Sequence, residues 1–346
     1  MATQKELLND VVIIRPLAII LLVIWHSFII YAGGWAEPQG FQPIDAYWWI
    51  GKFSYAFMLE LFVFISGYVF QYSLQRKNYT FKDVLISKFE RLIIPSILFS
   101  IAYVLIFNNP GVNILGSVYS VLNGAGHMWF LPMLFWVTII GFYLYKSKLD
   151  KKLLFAISIC LPAISWLPLP LRISSALYYI LFFYLGMIVF RNRQSIIAKF
   201  STSKYSITFA LIFLVTFLLG LLYEATIKPQ IALSTSVLVK AIGAGVGKYI
   251  RIAYALCGVS FVYIFVNYLL SVKHLILPEW IKSLNNACFG IYLFQQFILK
   301  ILYYKTSLPL FVGPYLLPWV GLIVALIGSY LLTVLMRSSK LGRKLL

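Results

Sequence analysis

The stretch RPLAIILLVIWHS, residues 15–27, is an apolar run with an arginine at one end and a histidine near the other. Taken alone it is only a hydrophobic helix; the rest of the chain decides what kind. Hydrophobic residues make up 62% of the 346, charged residues only 11%, and the mean hydropathy is +0.89. A soluble domain of this size carries roughly a quarter charged residues. Apolar runs near the ~20 residues that cross a hydrocarbon core recur from end to end. The fold class is therefore all-α: a polytopic membrane protein of about ten transmembrane helices in one bundle, over residues 10–33, 52–73, 88–107, 127–146, 151–168, 173–190, 205–224, 249–271, 282–304 and 314–336. The segment at 151–168 is short and proline-rich, with Pro162, Pro168 and then Pro170.

With ten spans both termini share one side. That side collects 21 of the 29 basic residues, from Lys5 and Arg15 to Lys344. The other side holds seven: Lys52, Arg172, Lys228, Lys240, Lys248, Arg251 and Lys305, with Lys300 left inside a span. Lysine and arginine favour cytoplasmic loops, so both termini are expected in the cytoplasm. The same bias accounts for the net charge of +19 without a nucleic-acid partner, because the charge marks several inner loops beside anionic lipid rather than one stripe. Cys160, Cys257 and Cys288 fall in apolar segments with no metal-ligand spacing, so packing is their expected role and no metal is expected. The leader mixes Lys5 with Glu6 and Asp10, unlike a cleaved signal peptide. A single transmembrane domain, 1–346, is expected.

Ionisable side chains inside a bilayer are costly, so each is a functional candidate. On a helix, the eleven residues from Arg15 to His26 complete three turns plus 20°, placing both on one face about 16 Å apart. A cationic mouth leading to a buried imidazole suits a long, thin substrate with an anionic head, the shape of coenzyme A and its pantetheine arm. Against this stand a snorkelling arginine and a histidine bonded to a neighbouring helix. Glu60, in FSYAFMLELFVFISGYVF (53–70), comes out at a depth similar to His26. A carboxylate there would orient the ring and raise its basicity; the bland alternatives are a protonated Glu60 or a pair with Lys300 or Gln295. Lys88 and Arg91, in SKFERLIIP (87–95), share a helix face and form a candidate phosphate clamp, or simply the inner flank of a span. His127 and Trp129 in NGAGHMWFLPML (123–134), together with Trp35, Trp48 and Trp49, make the outer side aromatic. Such tryptophans belong first to an interfacial belt and equally serve to stack a sugar. Gln295 and Gln296 lie near the depth of His26 and point in different directions, so at most one faces a cavity; Gln295, with His127 and Trp129, is the candidate substrate contact, and helix-to-helix hydrogen bonding is the simpler role.

These pieces together resemble the acyltransferase-three family of bacterial integral-membrane acyltransferases. The resemblance rests on Arg15 and His26 separated by ten residues, FVFISG (62–67), KFERLIIP (88–95), HMWFL (127–131), FFYLG (182–186) and GIYLFQ (290–295), in family order over nearly the whole chain. It implies transfer of an acyl group, most often acetyl, from cytoplasmic acyl-CoA to a hydroxyl of an extracytoplasmic glycan or lipid-linked saccharide, with no metal. It further implies a catalytic His26, Arg15 beside the coenzyme or thioester, and Arg91 and Lys88 binding on the cytoplasmic side of the inner membrane. Three positions depart from the family pattern. Lys88 stands where arginine is usual, which keeps the charge but loses the fork. Gln295 replaces a histidine, and Glu60 falls where proline or an apolar residue is usual. The hydrolase-like domain appended to some relatives is not expected. His26 would act as base for direct attack by the acceptor, or be acylated first in a two-step route. The rival is a saccharide or lipid transporter with His26, Glu60 and Lys300 as a proton relay; no internal repeat favours it.

Overall fold

A computed structural model of the chain describes residues 8–107 and 113–346, and the described residues form helices without a strand. In chain order the helices are α1 Asn9–Phe28, α2 Asp45–Tyr55, α3 Met58–Arg76, α4 Phe81–Lys88, α5 Ile94–Phe107, α6 Ile114–Leu122, α7 Phe130–Lys146, α8 Lys151–Cys160, α9 Ile173–Arg191, α10 Arg193–Phe200, α11 Ser203–Leu222, α12 Lys228–Leu233, α13 Val237–Ser271, α14 Glu279–Tyr304, α15 Leu308–Ser338 and α16 Lys340–Leu345. The chain is an all-α polytopic membrane protein. Among the described residues nine helical stretches are long and apolar enough to cross a bilayer. Lys5, and residues 108–112 of the uncharged loop after α5, lie outside the described residues.

The tenth crossing differs from the uniform helix expected at 151–168. Arg172, just before α9, donates from Nε to the Asn123 carbonyl at 2.9 Å, and its guanidinium lies 5.9 Å from the Trp129 ring at the start of α7. At the other end of α9, Arg191 lies 5.4 Å from the ring of Tyr145, at the end of α7. Helices α7 and α9 therefore run parallel, and residues 147–172 must return across the bundle. They do so with α8, a 3₁₀ turn at Leu161–Ile164 and an irregular stretch. Pro162, Pro168 and Pro170 remove helix donors there. Non-helical backbone is tolerated at membrane depth only where protein satisfies it. Here the Ser174 hydroxyl accepts from the Leu169 N–H at 2.9 Å, and Tyr249 donates to the Ile159 carbonyl at 2.9 Å.

Without a hydrophobic force between helices in lipid, close backbone approach holds them together. That approach is tightest where α3 crosses α9. A Cβ on Gly67 would stand 2.0 Å from the Phe183 carbonyl oxygen, and one on Gly186 would stand 2.1 Å from that of Phe64. Each glycine thus seats the other helix's backbone, which explains the small residue ending both FVFISG and FFYLG. Helix α1 is tied at both ends. The Tyr68 hydroxyl donates to buried Asp10 at 2.5 Å, and Tyr303 on α14 donates at 2.8 Å to the Ser27 carbonyl, one of the last-turn carbonyls left without an intrahelical partner. Gly290 on α14, two residues from Cys288, faces Thr333 near the end of α15, while Arg15 lies near Cys288. The start of α1 and the end of α15 therefore share one end of the bundle, here termed the basic end.

Gly186→Ala is expected to lower unfolding stability in detergent by at least ~1–3 kcal/mol, because a rigid backbone must move. Gly245→Ala, with nothing within 4 Å of its added Cβ, should be neutral or slightly stabilising. Equal thermal midpoints for the two variants would contradict this account of the crossing.

Candidate active site

At the basic end, the helix carrying Lys88 opens into a π turn over Phe89–Ile93, where the Ile94 N–H bonds back to the Phe89 carbonyl. The cause is Pro95, which has no N–H to give the Arg91 carbonyl, so the chain widens by one residue. The wide turn carries Arg91 alongside Lys88. Arg15, from α1, stands near enough to both for the three cations to repel one another. Among the described residues none of the three has a carboxylate within ion-pair distance; the only ion pairs there are Lys52–Glu224, Arg251–Glu60 and Lys282–Glu279. Glu90 shares the turn but is exposed and pairs with none of them, so three converging cations without a carboxylate in contact form a site for an anion, and arginine offers a forked fit to phosphate.

Three turns along α1, His26 lines a cavity of 340 Å³ together with Trp25, Trp35, Tyr55, His127 and Trp129. His26 is only 6% exposed. Its Nδ1 lies 3.0 Å from Gln295 Oε1. With that oxygen as acceptor, Nδ1 carries the proton and Nε2 is left as a free lone pair. Among the described residues Nε2 has no hydrogen-bond partner. Trp35 stacks on the ring at 5.7 Å and 11°, and Lys300 Nζ lies 5.4 Å from the Trp35 ring centroid.

His127 sits beside His26, ring centroids 6.2 Å apart, but is held differently. Its backbone N–H donates to Gln296 Oε1 at 2.9 Å, its Nδ1 lies against the same oxygen, and its Nε2 lies 3.1 Å from the Leu293 carbonyl. A neutral imidazole can donate to only one of these two acceptors; His127 walls the cavity, while His26 Nε2 faces no protein acceptor among the described residues. The turn that delivers His127 and Trp129 depends on glycine. Gly124 and Gly126 have φ of +78° and +57°, and their added Cβ atoms would meet the Trp129 backbone at 2.5 Å and the Tyr103 ring at 2.4 Å.

Two expectations need correction. Glu60 does not orient His26: it is fully buried, and its Oε1 lies 3.4 Å from Arg251 Nε on α13. Similar depth was a sound inference, but α3 turns Glu60 towards α13, away from α1. Gln295 does not face the cavity either. It is fully buried and supplies the orienting contact assigned to Glu60, while Gln296 lines the cavity. The relay His26–Glu60–Lys300 is correspondingly not formed, since Glu60 and Arg251 lie on the far side of Tyr55, whose ring carries the Arg251 guanidinium at 4.6 Å. Arg15, Lys88 and Arg91 come together, as do His26, His127 and Trp129. Trp35 and Gln296 are cavity residues that sequence reading left in the aromatic belt and among helix contacts, and Arg251 appeared only as an outer basic residue.

A protein-family model for an acyltransferase domain, acyltransferase family 3, matches residues 9–337. The chain belongs to this family. Comparison with curated proteins and with solved structures finds no match. Membership makes the protein a membrane acyltransferase.

Removing one partner of a buried ion pair costs ~3–5 kcal/mol. Glu60→Ala is therefore expected to destabilise the acyltransferase by about that amount, and Glu60→Ala with Arg251→Met to recover most of the loss. Wild-type stability with abolished turnover in Glu60→Ala would return Glu60 to the chemistry.

Proposed function

We propose that this acyltransferase carries an acyl group, acetyl as first choice, from acyl-CoA at the basic end to a hydroxyl of a saccharide arriving from the opposite side. The basic end, with both termini, is the cytoplasmic side of the inner membrane, following the distribution of lysine and arginine. The observation that carries the reading is the pairing, along one face of α1, of a cation cluster with no carboxylate in ion-pair contact and an oriented imidazole about 16 Å away. The CoA phosphates dock on Arg15, Lys88 and Arg91, and the pantetheine arm runs along α1 so that the thioester carbonyl reaches the His26 cavity. His26 Nε2 takes the proton of the acceptor hydroxyl as its oxygen attacks the carbonyl carbon. The C–S bond breaks, the new C–O ester bond forms, and the thiolate leaves with CoA, protonated in turn by the imidazolium. Because Gln295 is neutral, it fixes the ring's tautomer without adding the charge a carboxylate would.

The test is label transfer from radiolabelled acetyl-CoA to saccharide acceptors by the purified protein in nanodiscs. His26→Ala is expected to lower kcat by ~10²–10⁴-fold, the range for loss of a general base, while still binding acetyl-CoA. Arg91→Gln should act chiefly on the KM for acetyl-CoA, and Lys88→Arg should keep that KM or lower it, since the fork is restored. If no acyl-CoA binds or reacts over several chain lengths, the donor assignment is wrong.

A further inference from the structure

The sequence leaves seven basic residues on the side away from the termini. The fold gathers six of them around one cavity. Lys228, Lys240, Lys248 and Arg251 line a space of 760 Å³ between α9, α12 and α13. Arg172 stacks on Trp129, which lines the same space, and Lys52 pairs at 3.5 Å with Glu224, which also lines it. Glu224 and, behind Arg251, Glu60 are the carboxylates among these groups, so six cations face two acids. Lys248 Nζ donates to Ser165 at 2.9 Å. The Arg251 guanidinium, 29% exposed, makes no hydrogen bond to any described residue, and its Nη2 is buried without a partner. Clustered cations repel one another, and an anion seated among them relieves that repulsion.

The local backbone is built around this space. A second π turn, Tyr223–Ile227, lies on its rim, with the Lys228 N–H bonded to the Tyr223 carbonyl. Its cause repeats that at Pro95: Pro229 has no N–H for Ala225. On the opposite rim Leu171 and Arg172 both adopt left-handed backbone, φ +54° and +64°, at a cost of roughly 1–2 kcal/mol each. Strain of this kind persists where surrounding contacts hold it, commonly at ligand sites. Trp129 is a wall of this cavity and of the His26 cavity alike, so the two adjoin at that side chain.

We infer that this cavity binds the acyl acceptor, and that the acceptor is an anionic saccharide: a sugar bearing a phosphate or a carboxylate. The acidic group lies among Lys228, Lys240, Lys248 and Arg251. The sugar's C–H face packs on the rings of Trp129 and Tyr178, and a hydroxyl passes Trp129 to His26. The volume falls in the range of small-molecule sites. The identification as acceptor rests on the acyl-transfer reading; the anion site itself does not.

The experiment measures binding to the full chain in phosphatidylcholine nanodiscs by calorimetry, with three probes: a short prenyl-diphosphate disaccharide, a glucuronate-containing oligosaccharide and the matched neutral oligosaccharide. At least one anionic probe is expected to bind ~10-fold or more tightly than the neutral one, with the preference shrinking as salt shortens the screening length. The first two probes distinguish phosphate from carboxylate as the source of the charge. Lys228→Gln with Lys240→Gln, both exposed positions where misfolding is not a concern, should reduce the preference severalfold, and arginine at both should retain it. Equal binding of neutral and anionic probes would overturn the proposal, as would binding of phosphatidylglycerol with no binding of any saccharide, which would mark a lipid headgroup site. Label transfer from acetyl-CoA is read on the same preparation. Transfer to neutral and anionic acceptors with equal KM overturns the anionic acceptor and leaves acyl transfer standing. Charge-dependent binding with no transfer to any probe overturns acyl transfer and leaves the anion site.

Discussion

A polar side chain inside a bilayer has no water to turn to, so each one must find its partner within the bundle or line a cavity. That constraint organises the centre of this acyltransferase around α14. Gln295 and Gln296 are adjacent and so diverge by about 100° around the helix; one takes His26 on α1 and the other His127 at the start of α7. Tyr292, one turn earlier, donates to the His127 carbonyl at 2.5 Å. A single turn of α14 thereby fixes the rotation of two other helices and gives the two histidines different surroundings. His127 has a protein oxygen beside each ring nitrogen, and His26 has one beside Nδ1 alone.

The two ends of the molecule solve a related problem in the same way. At each, a proline two residues beyond a π turn denies a carbonyl its donor, and the widened turn presents charged residues: Arg91 at one end, Glu224 and Lys228 at the other. π turns are rare and recur at functional sites. Here they bracket the His26 cavity, one beside the cation cluster and one on the rim of the larger basic cavity. Most of the basic residues mark the inner loops, but two groups of cations converge, one at the basic end and one around the larger cavity.

Much of the fold was legible because hydropathy is a direct physical readout of the bilayer. Nine of ten crossings follow from apolar length alone, and the exception, 151–172, is the segment whose prolines disrupt the helix. The motif glycines Gly67 and Gly186 were visible as small residues, but their mutual seating depends on which helices touch. The site was legible along α1, where helical periodicity relates Arg15 to His26 within one element. It failed between elements. Glu60 and His26 share a depth, yet nothing in a single sequence fixes the rotation of α3, and that rotation gives Glu60 to Arg251 and leaves His26 to Gln295. The replacement of a family histidine at 295 reads as a loss in sequence and as an orienting partner in structure. The outer basic residues, spread from Lys52 to Arg251, signalled nothing until α9, α12 and α13 brought them together.

The central claim is that a donor held at the basic end delivers its reactive carbon to His26. The most direct measurement is a cryo-EM structure with a non-hydrolysable acetyl-CoA analogue. The account predicts density for the phosphates against Arg15, Lys88 and Arg91, the pantetheine arm along α1, and the acyl carbonyl within ~3–4 Å of the attacking position beside His26 Nε2. Phosphates seated instead among Lys240, Lys248 and Arg251, or an acyl group that ends short of the His26 cavity, would contradict it.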